Sequence, residues 1–257
     1  MSDFKVVVPA RFGSSRLPGK PLADIDGVPM VVHVVRRALR SGAAEVVIAT
    51  DDDRVRAAAE QAGCDVQMTR ADHASGSDRV MEVATAREWP QDTVVVNVQG
   101  DEPLIPPEVI AQVAGLLDDD PLVAVATLCE PIVDRAAVFD PNVVKVVAGA
   151  DGFARYFSRA PIPYARDAFG DGMRQGPLPA GTPWWRHIGI YGYRLAALAR
   201  FVALPVGTLE RAESLEQLRL VEAGIGIRIA PAAAAVPGGV DTAEDLERVR
   251  RLVADAR

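Results

Sequence analysis

The chain has 257 residues, 49% apolar and 25% charged, which suits one large α/β domain, or one with a small appendage, and allows a sizeable core. Its 28 Lys and Arg against 35 Asp and Glu leave a formal net charge of −7, a poor match to a nucleic-acid binder, whose affinity rests on neutralising phosphates. No stretch approaches the ~18 apolar residues of a membrane span and no signal-peptide pattern fits the N-terminus, so no membrane insertion is expected and the cytoplasm is the expected location.

In chain order, FKVVV (4–8) reads as a fully buried strand. A loop follows, VPARFGSSRLPGKPL (8–22), with two glycines, two serines and the basic side chains Arg11, Arg16 and Lys20. GVPMVVHVVRRALRSG (27–42) reads as a helix, with Pro29 in its first turn and Gly42 closing it. AEVVIAT (44–50) is a strand, DDRVRAAAEQAG (52–63) a helix ended by Gly63, and CDVQMT (64–69) a further strand. A helix is expected near Ser77 to Trp89, a strand in DTVVVNVQGD (92–101), a helix in PPEVIAQVAGLLDDD (106–120) and a strand in LVAVATL (122–128). Strands alternating with helices mean βαβ units and a mainly parallel sheet, with ligands at the carboxyl ends of the strands.

Near Pro131 the pattern changes. Residues 142–164 read as two strands joined by a turn at Asp151-Gly152. Ala165 to Pro183 is a long loop rich in Gly, Pro and Asp. WRHIGIYGYR (185–194) resumes as a strand, RAESLEQLRLVEAG (211–224) as a helix and IGIRIA (225–230) as a strand. A last helix, 241–256, has Thr242 as its cap with Asp245 three residues on. Cys64 and Cys129 read as small buried hydrophobes.

The first loop is not a Walker A motif: five residues separate Gly13 from Gly19, and Pro21 stands where a hydroxyl would bind magnesium. Its glycines are too sparse for a dinucleotide fingerprint. A strand-end loop with three cations in an acidic chain can wrap a triphosphate, or can be a solvated turn. Asp101 follows Gly100 at the end of a buried strand, a place suited to holding Mg²⁺; equally, Asp101 and Glu102 can simply begin a turn. Asp241 is either a helix-start residue or a second carboxylate on the same rim. Ser75, Gly76 and Ser77 form a helix entry that faces a ligand or merely caps. His33 reads as structural, and the spacing of the histidines and cysteines argues against zinc. No G-x-S-x-G elbow is present, which argues against an α/β-hydrolase.

Together VPARFGSSRLPGKPL, TRADHASGSDR (69–79), VNVQGDEPLIP (96–106), NVVKVV (142–147), YFSRAPIPY (156–164), RHIGIYGYR (186–194), LERAESLEQLR (209–219) and GVDTAEDLERVR (239–250) form an ordered set. In that set the chain resembles, almost end to end, the 3-deoxy-manno-octulosonate cytidylyltransferase (CMP-KDO synthetase) family. The Ser-Ser-Arg-Leu-Pro-Gly-Lys run is spaced unlike the loop of the sialic-acid relatives. The segment between Arg166 and Trp185 departs most from the family pattern.

The resemblance implies an α/β fold, a three-layer α/β/α nucleotide-diphospho-sugar transferase type with a mainly parallel mixed sheet and a smaller β-rich dimerisation part. It implies a single domain over 1–257, with the dimerisation subregion around 131–193, and a homodimer. The implied reaction joins CTP and KDO to give CMP-KDO and diphosphate for lipopolysaccharide synthesis, with Mg²⁺ as cofactor. By the same resemblance Ala10 and Arg11 meet the base or ribose, and Arg16 and Lys20 the phosphates. Ser75 and Gly76 touch the nucleotide, Gln99 lies between nucleotide and sugar acid, and Asp101 and Asp241 bind Mg²⁺. Arg159, His187, Tyr191, Glu213, Glu216 and Gln217 face KDO, with Glu213 and Gln217 on one helix face. Three other readings stay open: a different sugar acid, a different nucleobase, or a module that binds nucleotide without turnover.

Overall fold

β-branched runs, each flanked by polar turns, dictate the frame. The computed structural model describes residues 3–13, 16–169 and 176–255; Ser14 and Ser15 of the first loop, and residues 170–175 of the long loop, lie outside them. The elements are β1 (Lys5–Pro9), β2 (Asp24–Ile25), β3 (Val28–Pro29), α1 (Met30–Leu39), β4 (Glu45–Thr50), α2 (Asp53–Gln61), β5 (Asp65–Met68), α3 (Gly76–Ala86), β6 (Val94–Asn97), α4 (Pro107–Asp118) and β7 (Val125–Pro131). They continue with α5 (Arg135–Phe139), β8 (Lys145–Ala148), β9 (Ala154–Ser158), β10 (Trp185–Arg194), α6 (Leu195–Ala203), α7 (Thr208–Glu213), α8 (Leu218–Glu222), β11 (Ile227–Pro231) and α9 (Ala243–Asp255).

The main sheet runs β11-β7-β10-β6-β1-β4-β5. β1 is parallel to both β4 and β6, whereas β10 is antiparallel to its neighbours β6 and β7. Alternation along each strand sends side chains to opposite faces. Val6 and Val8 join a core with α1, α2 and α4, and Val7 joins a second core with α3, α6 and α8. The result is the three-layer α/β/α arrangement expected. The chain leaves β1 toward β4 and returns to the other side of β1 as β6, so the gap between the ends of β1 and β6 is a topological switch point.

The 131–193 stretch is not a separate sheet. β8 and β9 form the expected hairpin through Asp151-Gly152, but β8 pairs with the start of β10, and β10 is an inner strand of the main sheet. Four local expectations differ from the structure. α1 begins at Met30 because residues 24–29 form a small hairpin; Asp26 (φ 54°) and Gly27 (φ 76°) supply the left-handed pair that a two-residue turn needs. The helix expected over 211–224 is two helices, broken at Ser214 (φ 52°), so Glu213 and Gln217 do not share a helix face. The break buries Leu215 and folds α8 back on α7, where Arg219 grips Glu210 through two bonds of 2.7 and 2.6 Å. Nothing in the elements expected from sequence anticipates α6, whose Leu198 and Phe201 complete the second core. Cys129 is buried as expected, but Cys64 is only half-buried. Among the described residues no helix is long and apolar enough to cross a membrane.

Candidate active site

The loops after β1 and β6 face one cleft of about 420 Å³ at the switch point. Gly100 lets the strand ends close up, since a Cβ there would lie 2.6 Å from the Pro9 carbonyl oxygen. The first loop brings Ala10, Arg11, Arg16 and Lys20 to the cleft, and the second brings Gln99 and Asp101. Ser75 and Gly76 enter from the start of α3, and Asp241 from the turn before α9.

The central charges in this cleft are paired with one another. Lys20 Nζ donates to Asp101 Oδ2 at 2.6 Å and to Asp241 Oδ1 at 3.0 Å. Arg16 Nη2 lies 3.0 Å from the same Asp241 oxygen. Burial works against the Lys20 charge, but the two carboxylates outweigh it and raise the ammonium pKa. Arg11 donates to the His73 carbonyl oxygen, and the His73 ring pairs with Glu82, which ties the first loop to the 70–75 turn.

Two residues that could have served only as caps reach the cleft. Thr242 N donates to Asp245 Oδ2 at 3.0 Å and Asp245 N to Thr242 Oγ1 at 3.2 Å, which satisfies the start of α9 reciprocally and leaves the Asp241 carboxylate free to face Lys20. Ser75 caps α3 reciprocally with Asp78 and lines the cleft as well. Glu102, behind Asp101, has its pKa pushed up to about 8, first by burial and then by the Asp101 charge.

Among the described residues no cluster of three or more His, Cys, Asp or Glu is placed to hold a metal ion. Asp101 and Asp241 nevertheless bring hard oxygens from two separate loops onto a single cation, Lys20 Nζ. One or two carboxylates, completed by substrate phosphates and water, are the donor set that suits Mg²⁺.

A second cavity of about 260 Å³ adjoins the cleft, and Gln99 lines both. His187 and Tyr191 reach it from β10, and Glu216 and Gln217 from the turn between α7 and α8. Its polar atoms are short of partners: Tyr191 Oη, Glu216 Oε1 and Gln217 Nε2 are buried with no hydrogen bond. Burial, followed by the nearby Arg186 charge, lowers the His187 pKa from the ordinary 6.5 to about 3, so the ring is neutral. Burial also raises the Glu216 pKa, against the Ser75 hydroxyl and the Arg219 charge, and drives that of Tyr191 well above its usual range.

Arg159 and Glu213 are not brought into either cavity. They hold each other: Glu213 accepts from the Arg159 backbone N–H at 2.9 Å and from Ser158 Oγ at 2.6 Å. The Arg159 guanidinium is spent on the carbonyls of Glu213, Pro141 and Ser214. Sequence reasoning missed Arg79, Asn97 and Tyr193 and placed Ser77 only at the helix entry. Arg79 is fully buried at the cleft, 3.2 Å from Asp51, and the other three line the second cavity. Ser77 and Arg79 lie inside TRADHASGSDR, so the signal was the motif as a whole.

Comparison with known proteins agrees with this geometry. A family model described as Cytidylyltransferase matches residues 5–229. A protein of Nitrosococcus oceani described as 3-deoxy-manno-octulosonate cytidylyltransferase is 50% identical over 251 residues, covering 98% of this chain and 96% of its own. Proteins of the same description from Hahella chejuensis and Pseudomonas syringae pv. syringae are 53% and 55% identical, covering 99% and 97% of this chain and 99% and 98% of theirs. A solved structure of CMP:2-keto-3-deoxy-manno-octonic acid synthetase complexed with CTP superposes with a TM-score of 0.90 at 46% identity, over 100% of both chains. A cytidylyltransferase structure from Leptospira borgpetersenii, at 18% identity and a TM-score of 0.63 over 99% of this chain and 88% of its own, shares the fold.

Proposed function

The chain belongs to the 3-deoxy-manno-octulosonate cytidylyltransferase family, and from that premise we propose that its two joined cavities carry out cytidylyl transfer from CTP to KDO, with release of diphosphate. The observation that carries this reading is the pairing of a cleft rich in both charges with a neutral, hydroxyl-seeking cavity, bridged by Gln99. The triphosphate lies against Arg16 and Lys20, and the sugar acid against Tyr191, Glu216 and Gln217.

The anomeric hydroxyl of KDO attacks the α-phosphorus of CTP in line; a P–O bond forms, the bond to diphosphate breaks with its electron pair leaving on diphosphate, and the hydroxyl proton passes to solvent. Lys20 and Arg16 offset the charge that collects on the departing diphosphate. Arg11, held to the 70–75 turn, and Ser75 and Gly76 orient the nucleoside end. Gln99 spans the junction and sets the sugar hydroxyl against the phosphorus. Asp101 and Asp241 would hold Mg²⁺, which supplies charge neutralisation at the phosphates and makes the sugar hydroxyl more acidic. Arg159 and Glu213 act from outside the cavities, by bracing the end of α7 against β9.

The cytoplasm, a role in lipopolysaccharide synthesis and a homodimer belong to the same proposal. Val133 and Tyr164 are exposed in the 131–193 segment and offer apolar surface to a partner. Diphosphate release with CTP, KDO and Mg²⁺ tests the reaction. The reading requires KDO to outpace sialic acid and amino-KDO, and CTP to outpace GTP, UTP and dTTP. Binding of CTP with no diphosphate under any combination would make the protein a nucleotide-binding module. Sedimentation as a monomer would remove the homodimer alone.

A further inference from the structure

Asp241 reaches the cleft at the end of a long connection from β11 to α9. Loops of this kind do not fix a carboxylate by themselves. Three contacts pin this one. Arg186 Nη2, on β10, donates to the Val236 carbonyl at 2.9 Å. Arg248 Nη2, on the second turn of α9, donates to the carbonyls of Gly238 at 2.9 Å and Gly239 at 3.1 Å, and lies 3.3 Å from Asp245 Oδ1. Val240 N then donates to the Asp101 carbonyl oxygen at 2.8 Å, which couples the two carboxylate-bearing loops directly.

Gly239 sits where this clamp closes. A Cβ built on it would meet Glu102 Oε1 at 3.0 Å and the Asp101 carbonyl oxygen at 3.1 Å. The Glu102 carboxylate is the free end of a half-buried side chain and can turn aside, but the Asp101 carbonyl is backbone already held by Val240 N and gives only if the Asp101 main chain moves. A side chain at 239 therefore presses on the Asp101 main chain, which must give by a few tenths of an ångström.

We propose that Gly239 and Arg248 are positioning residues for nucleotidyl transfer, holding the Asp241 carboxylate at its working distance from Asp101. Neither touches a substrate in this scheme; each acts through Asp241. The proposal rests on the function proposed above, and the test separates the two. Turnover of CTP and KDO is measured for Gly239→Ala, Arg248→Ala, Arg248→Lys and Asp241→Asn, with thermal midpoints in parallel.

Misplacing a catalytic group by about 1 Å can cost roughly 10²-fold, and the overlap here is a few tenths of an ångström, so Gly239→Ala should lower kcat by about 3- to 10-fold while KM for KDO stays within about two-fold. Arg248→Ala should lower kcat by about 3- to 10-fold, and Arg248→Lys, which can still reach one carbonyl, should recover most of it. Normal kcat in Gly239→Ala and Arg248→Ala beside an inactive Asp241→Asn overturns the proposal alone. So does a loss confined to a lower thermal midpoint or to KM for KDO. Normal turnover in Asp241→Asn brings down the site reading itself. Should Gly239→Ala not fold, the Arg248 pair decides.

Discussion

The cleft and the cavity beside it meet at Gln99, yet they handle polarity in opposite ways. In the cleft the central charges are satisfied internally: Lys20 is shared by Asp101 and Asp241, and Arg16 reaches the same Asp241 oxygen. In the cavity Tyr191, Glu216 and Gln217 each keep a buried polar atom without a partner, and the one histidine is neutral. A buried polar atom left unpaired costs roughly 1–3 kcal/mol. The folded chain tolerates three of them around one cavity, which suits a ligand rich in hydroxyls. Under the proposed function the cleft is where a charged ligand would exchange ion pairs, and the cavity where a polyol would complete hydrogen bonds.

The largest effect that can break this comparison lies in the cleft. Asp101→Asn and Asp241→Asn each keep the shape and one hydrogen-bonding oxygen but lose the charge. Each should lower kcat by at least ~10²-fold with the thermal midpoint nearly unchanged. Near-normal turnover in either would remove the Mg²⁺ assignment. Lys20→Ala comes next, with kcat reduced by about 10-fold or more and KM for KDO moved much less. If only KDO affinity changed, the first loop would belong to the other ligand.

Smaller effects sharpen the comparison from the cavity side. Tyr191→Phe removes an orphaned hydroxyl and Glu216→Gln replaces a buried carboxyl group by an amide, so both should raise KM for KDO by about 3- to 10-fold and leave KM for CTP alone. Tyr191→Phe should also hold or raise the thermal midpoint, because the folded state no longer buries an unpaired hydroxyl. A fall in stability together with a normal KM for KDO would mean that the hydroxyl serves the fold and not the substrate.

The two regions also differ in how far they could be read from sequence. The cleft was legible because its residues sit at the ends of β1 and β6, and a buried β-branched strand announces where it stops. The sheet rule then places Lys20 and Asp101 on one rim from sequence alone. Asp241 was harder, since an acidic residue before a helix has an ordinary use; only the reciprocal bonds of Thr242 and Asp245 show that the helix does not need it. The cavity was legible only through resemblance. Its residues come from the middle of β10 and from a turn inside what reads as one continuous amphipathic helix. The break at Ser214 is set by Leu215 entering the core and by Arg219 gripping Glu210. Both are tertiary events without a local signature. The same limit explains Arg79, since a fully buried arginine looks like any exposed one in sequence, and Arg159 and Glu213, whose spacing does not reveal that they spend their polar atoms on each other.

His187 provides the finest test, because its neutrality is what keeps the cavity free of positive charge. It is enclosed by the rings of Phe157 and Tyr191, with Thr127 Oγ1 at 3.2 Å from Nε2 and Arg186 adding repulsion. Its pKa in the folded state is about 3 against the ordinary 6.5. Between those values the unfolded chain binds a proton that the folded chain does not, so stability contributed here falls as pH drops below about 6.5 and is flat above it, with a limiting slope of about 1.4 kcal/mol per pH unit. His187→Asn should remove that slope: wild type and variant should differ progressively less in favour of wild type as pH is lowered from 7 to 5. Parallel loss of stability in both would mean that the ring takes up its proton in the folded state after all. The cavity would then hold a cation for the sugar-acid carboxylate, and the division between a charge-exchanging cleft and a neutral cavity would fail. If the ring stays neutral, the counter-charge for the carboxylate has to come from a cation outside it, either a cleft cation reached across Gln99 or the nearby Arg186, and loss of a cleft cation should then weaken KDO only to the extent that the two substrates share it.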